Sequence, residues 1–284
     1  MVNRMLSIVA GFITAVIFAV GMIAAARASR SIGAVQVVAV SSSIGLVIVV
    51  PWCLISGIPT LDGGQLALMV LAGIVNVLGF RCTYAALRFG KVGLVAPIVA
   101  AEGAVAAIIS AFLGQSIAPL VAFLLVVITG GIVIAARSQD PAPFDHERPL
   151  KAAGLATLGA ISFGISLFAV GILSAQVSLP WVLLPGRVVG VFAIALPLLA
   201  MSRLSVPRSA WPILVLLACC DLAGIAAYSV GAQENLAVTA VISSQMAPIA
   251  AVMAFFLFRE RMGRGQITGL VVIVIGMSVL GVVQ

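Results

Sequence analysis

The sequence predicts an all-α membrane protein with ten transmembrane helices arranged as two inverted five-helix repeats. Three observations carry that expectation. Apolar residues make up 63% of the chain against 8% charged, the apolar stretches come in runs of membrane length, and one polar connector divides them into two sets of five. A soluble domain covers its exterior with roughly a quarter charged residues. Fifteen Lys and Arg with eight Asp and Glu cannot do this for 284 residues, so lipid is the solvent for most of the surface.

A helix crossing about 30 Å of hydrocarbon needs about 20 mainly apolar residues, each advancing about 1.5 Å. Pro, Gly and charge punctuation places such spans near 5–26, 33–56, 66–87, 92–113 and 117–136, then near 152–175, 181–201, 211–232, 237–258 and 266–283. Residues 1–136 form the first repeat, 137–151 a polar cytoplasmic linker, and 152–284 the second repeat. The linker, RSQDPAPFDHERPLK, holds three prolines and the densest charge in the chain, which marks a solvated connector. Arg4 ahead of a run ending in Ala24-Ala25-Ala26 resembles a secretory leader. That run exceeds 20 residues, however, and the heavier charge, Arg27 and Arg30, follows it, so it is expected to remain as the first span.

Internal matches suggest duplication. Phe18-Ala19-Val20-Gly21 recurs as Phe168-Ala169-Val170-Gly171, Pro51 matches Pro197, Tyr84 matches Tyr228, and Gly131 matches Gly276. Four matches in order, at nearly constant separation, point to a repeat. Five helices per half make each half cross an odd number of times, so the second half enters from the opposite side. Such inverted halves can hold two mirror-like states, each open to one face.

Lys and Arg divide unevenly between the two sides. Twelve, from Arg27 to Arg264, fall on one side, and Arg4 alone falls on the other. The positive-inside rule makes the populated side cytoplasmic and puts both termini outside an inner (plasma) membrane. The net charge of +7 is thereby explained by the membrane surface rather than by nucleic acid.

Four ionisable residues fall well inside apolar spans: Arg81, Glu102, Arg187 and Asp221. Each costs about 2.5 to 3.5 kcal/mol at mid-span and needs a partner or water. The simplest arrangement pairs Arg81 with Glu102 and Arg187 with Asp221. Such groups either line a solute cavity, able to take a polar or zwitterionic solute, or act as structural pairs that fix helix register. Glu102, about ten residues from either end of its span, is the candidate for coupling solute export to proton entry. Pro97 and Pro248 are expected to break or kink the fourth and ninth spans. Tyr84, Tyr228, Asn76, Ser243, Ser244 and Gln245 offer hydrogen bonds to a solute or between helices. Gly11, Ala15 and Ala19, like Ala223, Ala227 and Gly231 and like Gly265 and Gly269, make small-residue stripes suited to close packing.

No catalytic or metal signature is present. Cys53, Cys82, Cys219 and Cys220 all fall in apolar runs without paired metal or redox spacing, and the single histidine, His146, is in the linker. Neither Gly-x-Ser-x-Gly, His-Glu-x-x-His nor a phosphate-binding glycine loop occurs. The chain is therefore expected not to be an enzyme and to need no cofactor or metal. Its expected partners are a small-molecule substrate, the lipid bilayer and a second copy of itself in a homodimer.

Ala247-Pro248, the run IAAVMAFFLF, Arg259-Glu260-Arg261, Gly265-Gln266, Gly269 and Gly276 resemble the closing helices of EamA-type carriers in the drug/metabolite transporter superfamily. The first half echoes this stretch weakly, with Glu102-Gly103 facing the Ala-Pro position and Gly114-Gln115-Ser116 facing Arg-Glu-Arg. The resemblance implies ten helices in two inverted halves and export of metabolites, amino acids or toxic compounds. It also implies a pathway near the third, fourth, eighth and ninth helices and, contrary to the charge count, termini in the cytoplasm. A secondary carrier working by alternating access is the function expected, with a passive channel or lipid-linked flippase as the alternative.

Overall fold

The computed structural model describes residues 2–102, 147–174, 176–243, 245–260 and 262–283, with residues 105, 109, 120, 123, 124, 126–128, 130, 131 and 134 between the first two stretches. Helix is the only regular structure among them. The helices are α1 (Val2–Ile32), α2 (Ala34–Ile55), α3 (Gly63–Phe89), α4 (Val92–Val99), α5 (Pro149–Ser174), α6 (Leu179–Ala200), α7 (Trp211–Ser243), α8 (Met246–Leu257) and α9 (Arg264–Val283). Six helices among the described residues are long and apolar enough to cross a membrane, in α1, α2, α3, α5, α6 and α7. The chain is a multi-pass membrane protein.

Most boundaries fall where punctuation put them, and the departures have physical causes. The fourth span breaks: α4 ends at Val99, a turn covers Ala100–Ala101, and helix resumes at Glu102. Pro97 lacks the N–H that would reach back to the Gly93 carbonyl, which weakens the helix just before the break. The expected loop near 233–236 is absent, and α7 continues to Ser243. The ninth span accordingly starts at Met246, not 237. Pro248 is thus the third residue of α8, in a first turn whose N–H groups have no intrahelical partner in any case, so it does not interrupt that span. In α6 the helix widens to a π turn over Val191–Ala195, immediately before Pro197. The expected fifth span and most of the linker, including His146, lie largely outside the described residues.

Packing follows membrane rules. Small side chains are inside: Ala15, Ala19, Ala26, Ala96, Ala247, Ala250 and Ala254 are fully buried, whereas Val47, Leu54, Val126 and Phe256 are about 70% exposed, at 74%, 68%, 70% and 73%. Close backbone approach replaces the hydrophobic effect as the basis of association. α1 packs along α7, α3 along α5, α2 against α6, and α4 against α8. The α1 stripe of Ala15 and Ala19 works as expected, but on α7 the contact runs through Gly224, not Ala223, which is exposed.

The contacts occur in reciprocal pairs. A side chain added at Gly224 would meet the ring of Phe18, and one at Gly79 would meet Phe163. Gly131 abuts Ile273, and Gly276 abuts Ile128. Gly45 abuts Arg187, and Gly190 abuts Ser42. Each contact recurs with its partners exchanged and moved 145 residues along the chain. At this register Phe18 answers to Phe163, and the Phe168-Gly171 match lies five residues out of step with it.

One face gathers chain ends. Arg30, at the end of α1, donates to the carbonyls of Leu87 and Gly90 at the end of α3 and pairs with Glu260 at 2.8 Å. The second Glu260 oxygen accepts from Val92 N at 2.9 Å, where an acidic group suits the positive end of α4. Arg148 N, just ahead of α5, donates to Phe89 O. So α1 and α3 end at this face and α4 and α5 begin there. On the opposite side, Trp181 Nε1 donates to Gly57 O and Gln65 to Gln176.

Candidate functional site

Between the helices lies a cavity of about 140 Å3. It is built by α1 (Phe18, Gly21, Met22, Ala25), α3 (Asn76, Phe80, Thr83, Tyr84), α5 (Phe163, Ser166, Leu167) and α7 (Leu217, Cys220, Asp221, Ile225), with Val99, Glu102 and Met246 from the two interrupted stretches. The break after Val99 and the start of α8 at Met246 both face this space, because α4 and α8 pack together. Interrupted helices leave backbone groups free for a solute, and membranes tolerate them only where they line a cavity or are buried in protein.

The charges in the cavity are asymmetric. Asp221 on α7 is paired with Arg187 on α6, as the sequence suggested. Arg187 is 4% exposed, packs on Gly45 of α2, and lies within electrostatic reach of Tyr84, as does Asp221. Glu102 is different: no cation is paired with it among the described residues, and it lines the cavity. Phe80 stands between Tyr84 and Phe163 with ring centroids at 5.4 and 5.0 Å, tilted against Tyr84 and edge-on to Phe163, the latter an arrangement aromatic quadrupoles favour. Thr83, 2% exposed, has a hydroxyl with no hydrogen-bond partner.

Comparisons with known proteins bear on this geometry. Residues 5–137 match the model of the EamA-like transporter family. That match covers just under half of the chain. No curated protein matches the chain. A solved structure titled "Crystal structure of protein" has a TM-score of 0.62 and 16% identity, covering 96% of this chain and 95% of that one, so the fold as a whole has a solved counterpart. The family match falls on the first half, although the residues that most resemble EamA carriers are in the last two helices. Glu260, central to that resemblance, caps α4 in the family-matched half.

Within this framework the expected site residues separate. Asn76, Tyr84, Glu102 and Asp221 line the cavity, and Arg187 reaches it through Asp221. Tyr228, half-buried on α7, is within electrostatic reach of Glu102 but is not in the wall. Gln245 donates to Ser278 of α9 at 3.0 Å, so it serves as interhelical glue. Ser244 lies outside the described residues. Pro97 sits buried in α4, one turn before the break, and Pro248 is in the first turn of α8.

Arg81 departs most from expectation. The structure does not bring it to Glu102. It is exposed on α3 in the stripe of Leu71, Ile74 and Leu78, and its long stem can carry the guanidinium toward the nearby Arg88 end of the helix. The sequence reading also missed Phe18, Phe80, Phe163 and Thr83. The Phe18 and Phe163 pair at the 145-residue register was the available signal.

Proposed function

We propose that the protein is a secondary carrier of the EamA type, in which two inverted five-helix halves alternate a shared cavity between the faces of the membrane and export a small organic solute. The observation that carries this is the cavity itself, walled by α1, α3 and Glu102 from one half and α5, α7 and Met246 from the other.

The reciprocal contacts support inversion. Phe18 on Gly224 and Phe163 on Gly79 are one contact seen twice, as an axis relating the two halves requires. Helix direction agrees, since α1 ends at the face where α5, its counterpart, begins. A ten-helix count follows if the stretch around residues 120–134, helical wherever it is described, is the fifth span. Two halves related in this way can trade conformations at modest cost, which is the physical basis of alternating access.

Glu102 is the coupling group in this proposal, its carboxyl shuttling a proton inward as solute leaves. Counterflow in proteoliposomes tests the carrier. Solute loaded on one side should accelerate uptake of labelled solute from the other, whereas flux that is blind to trans solute indicates a channel. Glu102→Gln should abolish transport driven by a pH gradient, and full retention would remove the coupling role.

For location, we propose the inner membrane with both termini outside. Arg30, Lys91, Arg148 and Lys151 gather at one face, where Lys151 also stacks on Phe89 at 4.0 Å, in keeping with a cytoplasmic surface. A fluorescent reporter at the C-terminus should stay dark if the terminus is outside.

A further inference from the structure

We propose that the cavity selects organic monocations, holding an ammonium group at Glu102 with its apolar body against Phe18, Phe80 and Phe163. The assignment takes its transport role from the carrier reading above, but the binding it describes stands or falls separately.

Charge accounting comes first. Among the described residues two carboxylates line the cavity and no Lys or Arg does. Asp221 is neutralised by Arg187, which is buried and packed on Gly45. Among the described wall residues nothing would balance a charge on Glu102. In a space of low dielectric that charge is stabilised by a cation brought in with the solute. A zwitterion would set its own carboxylate among apolar rings with no positive partner, and an anion would add a second unbalanced charge.

The walls agree with that chemistry. Ring faces attract cations through their quadrupoles, and three phenylalanines with Tyr84 line the space beside Glu102. The unpartnered Thr83 hydroxyl and the Asn76 amide supply acceptors for ammonium hydrogens. The site is one-sided by construction, because the 145-residue register sets Ala247 opposite Glu102. This selectivity departs from the amino-acid zwitterions that the sequence left open.

The test uses three solutes of one shape: 2-phenylethylammonium, phenylalanine and 3-phenylpropanoate. Binding of each to the purified full-length protein is measured by equilibrium dialysis, with Glu102→Gln and Phe80→Leu variants checked for a monodisperse, cooperatively melting state. The ammonium should bind at least about ten-fold tighter than the other two. It should lose about ten-fold or more in Glu102→Gln, and a smaller factor in Phe80→Leu, which keeps the cavity charge and provides a second readout if the first variant misfolds. Equal or tighter binding of the zwitterion or anion, indifference of the ammonium to both variants, or no ammonium binding at all overturns the assignment. Charge-selective binding without counterflow would keep this site and remove the carrier. Counterflow of zwitterions or anions alone would do the reverse.

Discussion

Glu102 and Asp221 border the same cavity and have opposite surroundings. Asp221 is tied to a buried arginine from the neighbouring helix, while Glu102 follows a helix break and faces the cavity with no cation beside it. The register of the halves sharpens the contrast: Asp221 stands where the first half has Asn76, Arg187 where it has Ser42, and Glu102 where the second half has Ala247. On the proposed repeat, the ion pair and the lone acid are separate departures from a common scaffold. An acid whose charge is already balanced holds helices together, whereas one with no partner is available to a solute or a proton.

The largest effect should follow from changing the lone acid. Glu102→Gln removes the one acid in the described wall that has no paired cation and should eliminate pH-driven transport while leaving the melting temperature close to wild type. A large loss of stability with transport intact would reverse the roles given to the two acids.

Breaking the pair should do the opposite. Arg187→Ala strands a carboxylate within the helix bundle and should cost about 3 to 5 kcal/mol of stability, read as a lowered melting temperature in detergent. Replacing both partners together, Arg187→Met with Asp221→Leu, should recover much of that loss. If the double variant is no more stable than the single, the pair does more than neutralise charge.

Gly79→Leu and Gly224→Leu probe the scaffold beneath both sites. Each would drive a side chain into a phenylalanine ring, Phe163 or Phe18, with an expected cost of about 1 to 3 kcal/mol. The two costs should be alike if the halves share one packing plan, and a marked inequality in thermal stability would argue against equivalence. The smallest effect belongs to Arg81→Leu. This exposed residue on the outer stripe of α3 should change stability by less than about 1 kcal/mol and leave transport intact.

Much of this was legible in the sequence because hydropathy reports the solvent directly. The runs that became α1, α2, α3, α5 and α6 needed only length and punctuation, and the Arg187–Asp221 pair needed only adjacency of two spans. Arg81 was misread because burial depends on helical phase as well as depth. Its spacing from Leu71, Ile74 and Leu78 places all four on one stripe, and the neighbours are large and lipid-facing. The Phe-Ala-Val-Gly match lies off the 145-residue register of the reciprocal contacts, since such a tetrapeptide is easily repeated by chance in so apolar a chain. The register proposed here comes from glycines that admit a distant ring, Phe18 at Gly224 and Phe163 at Gly79, and such contacts are invisible before folding. Pro248 reads as a break in the ninth span because proline is the obvious disruptor, yet it stands in the first turn of α8, where a proline costs a helix little.

The central claim is that one cavity, shared by two oppositely directed halves, opens to each face in turn. Met246→Cys in a background with Cys53, Cys82, Cys219 and Cys220 replaced puts a single thiol in the cavity wall. Labelling by a membrane-impermeant maleimide, applied from one face at a time to oriented vesicles, reads its access. The account predicts labelling from both faces, slowed in each case by transported solute. A thiol reached from one face only, or from neither, would contradict it.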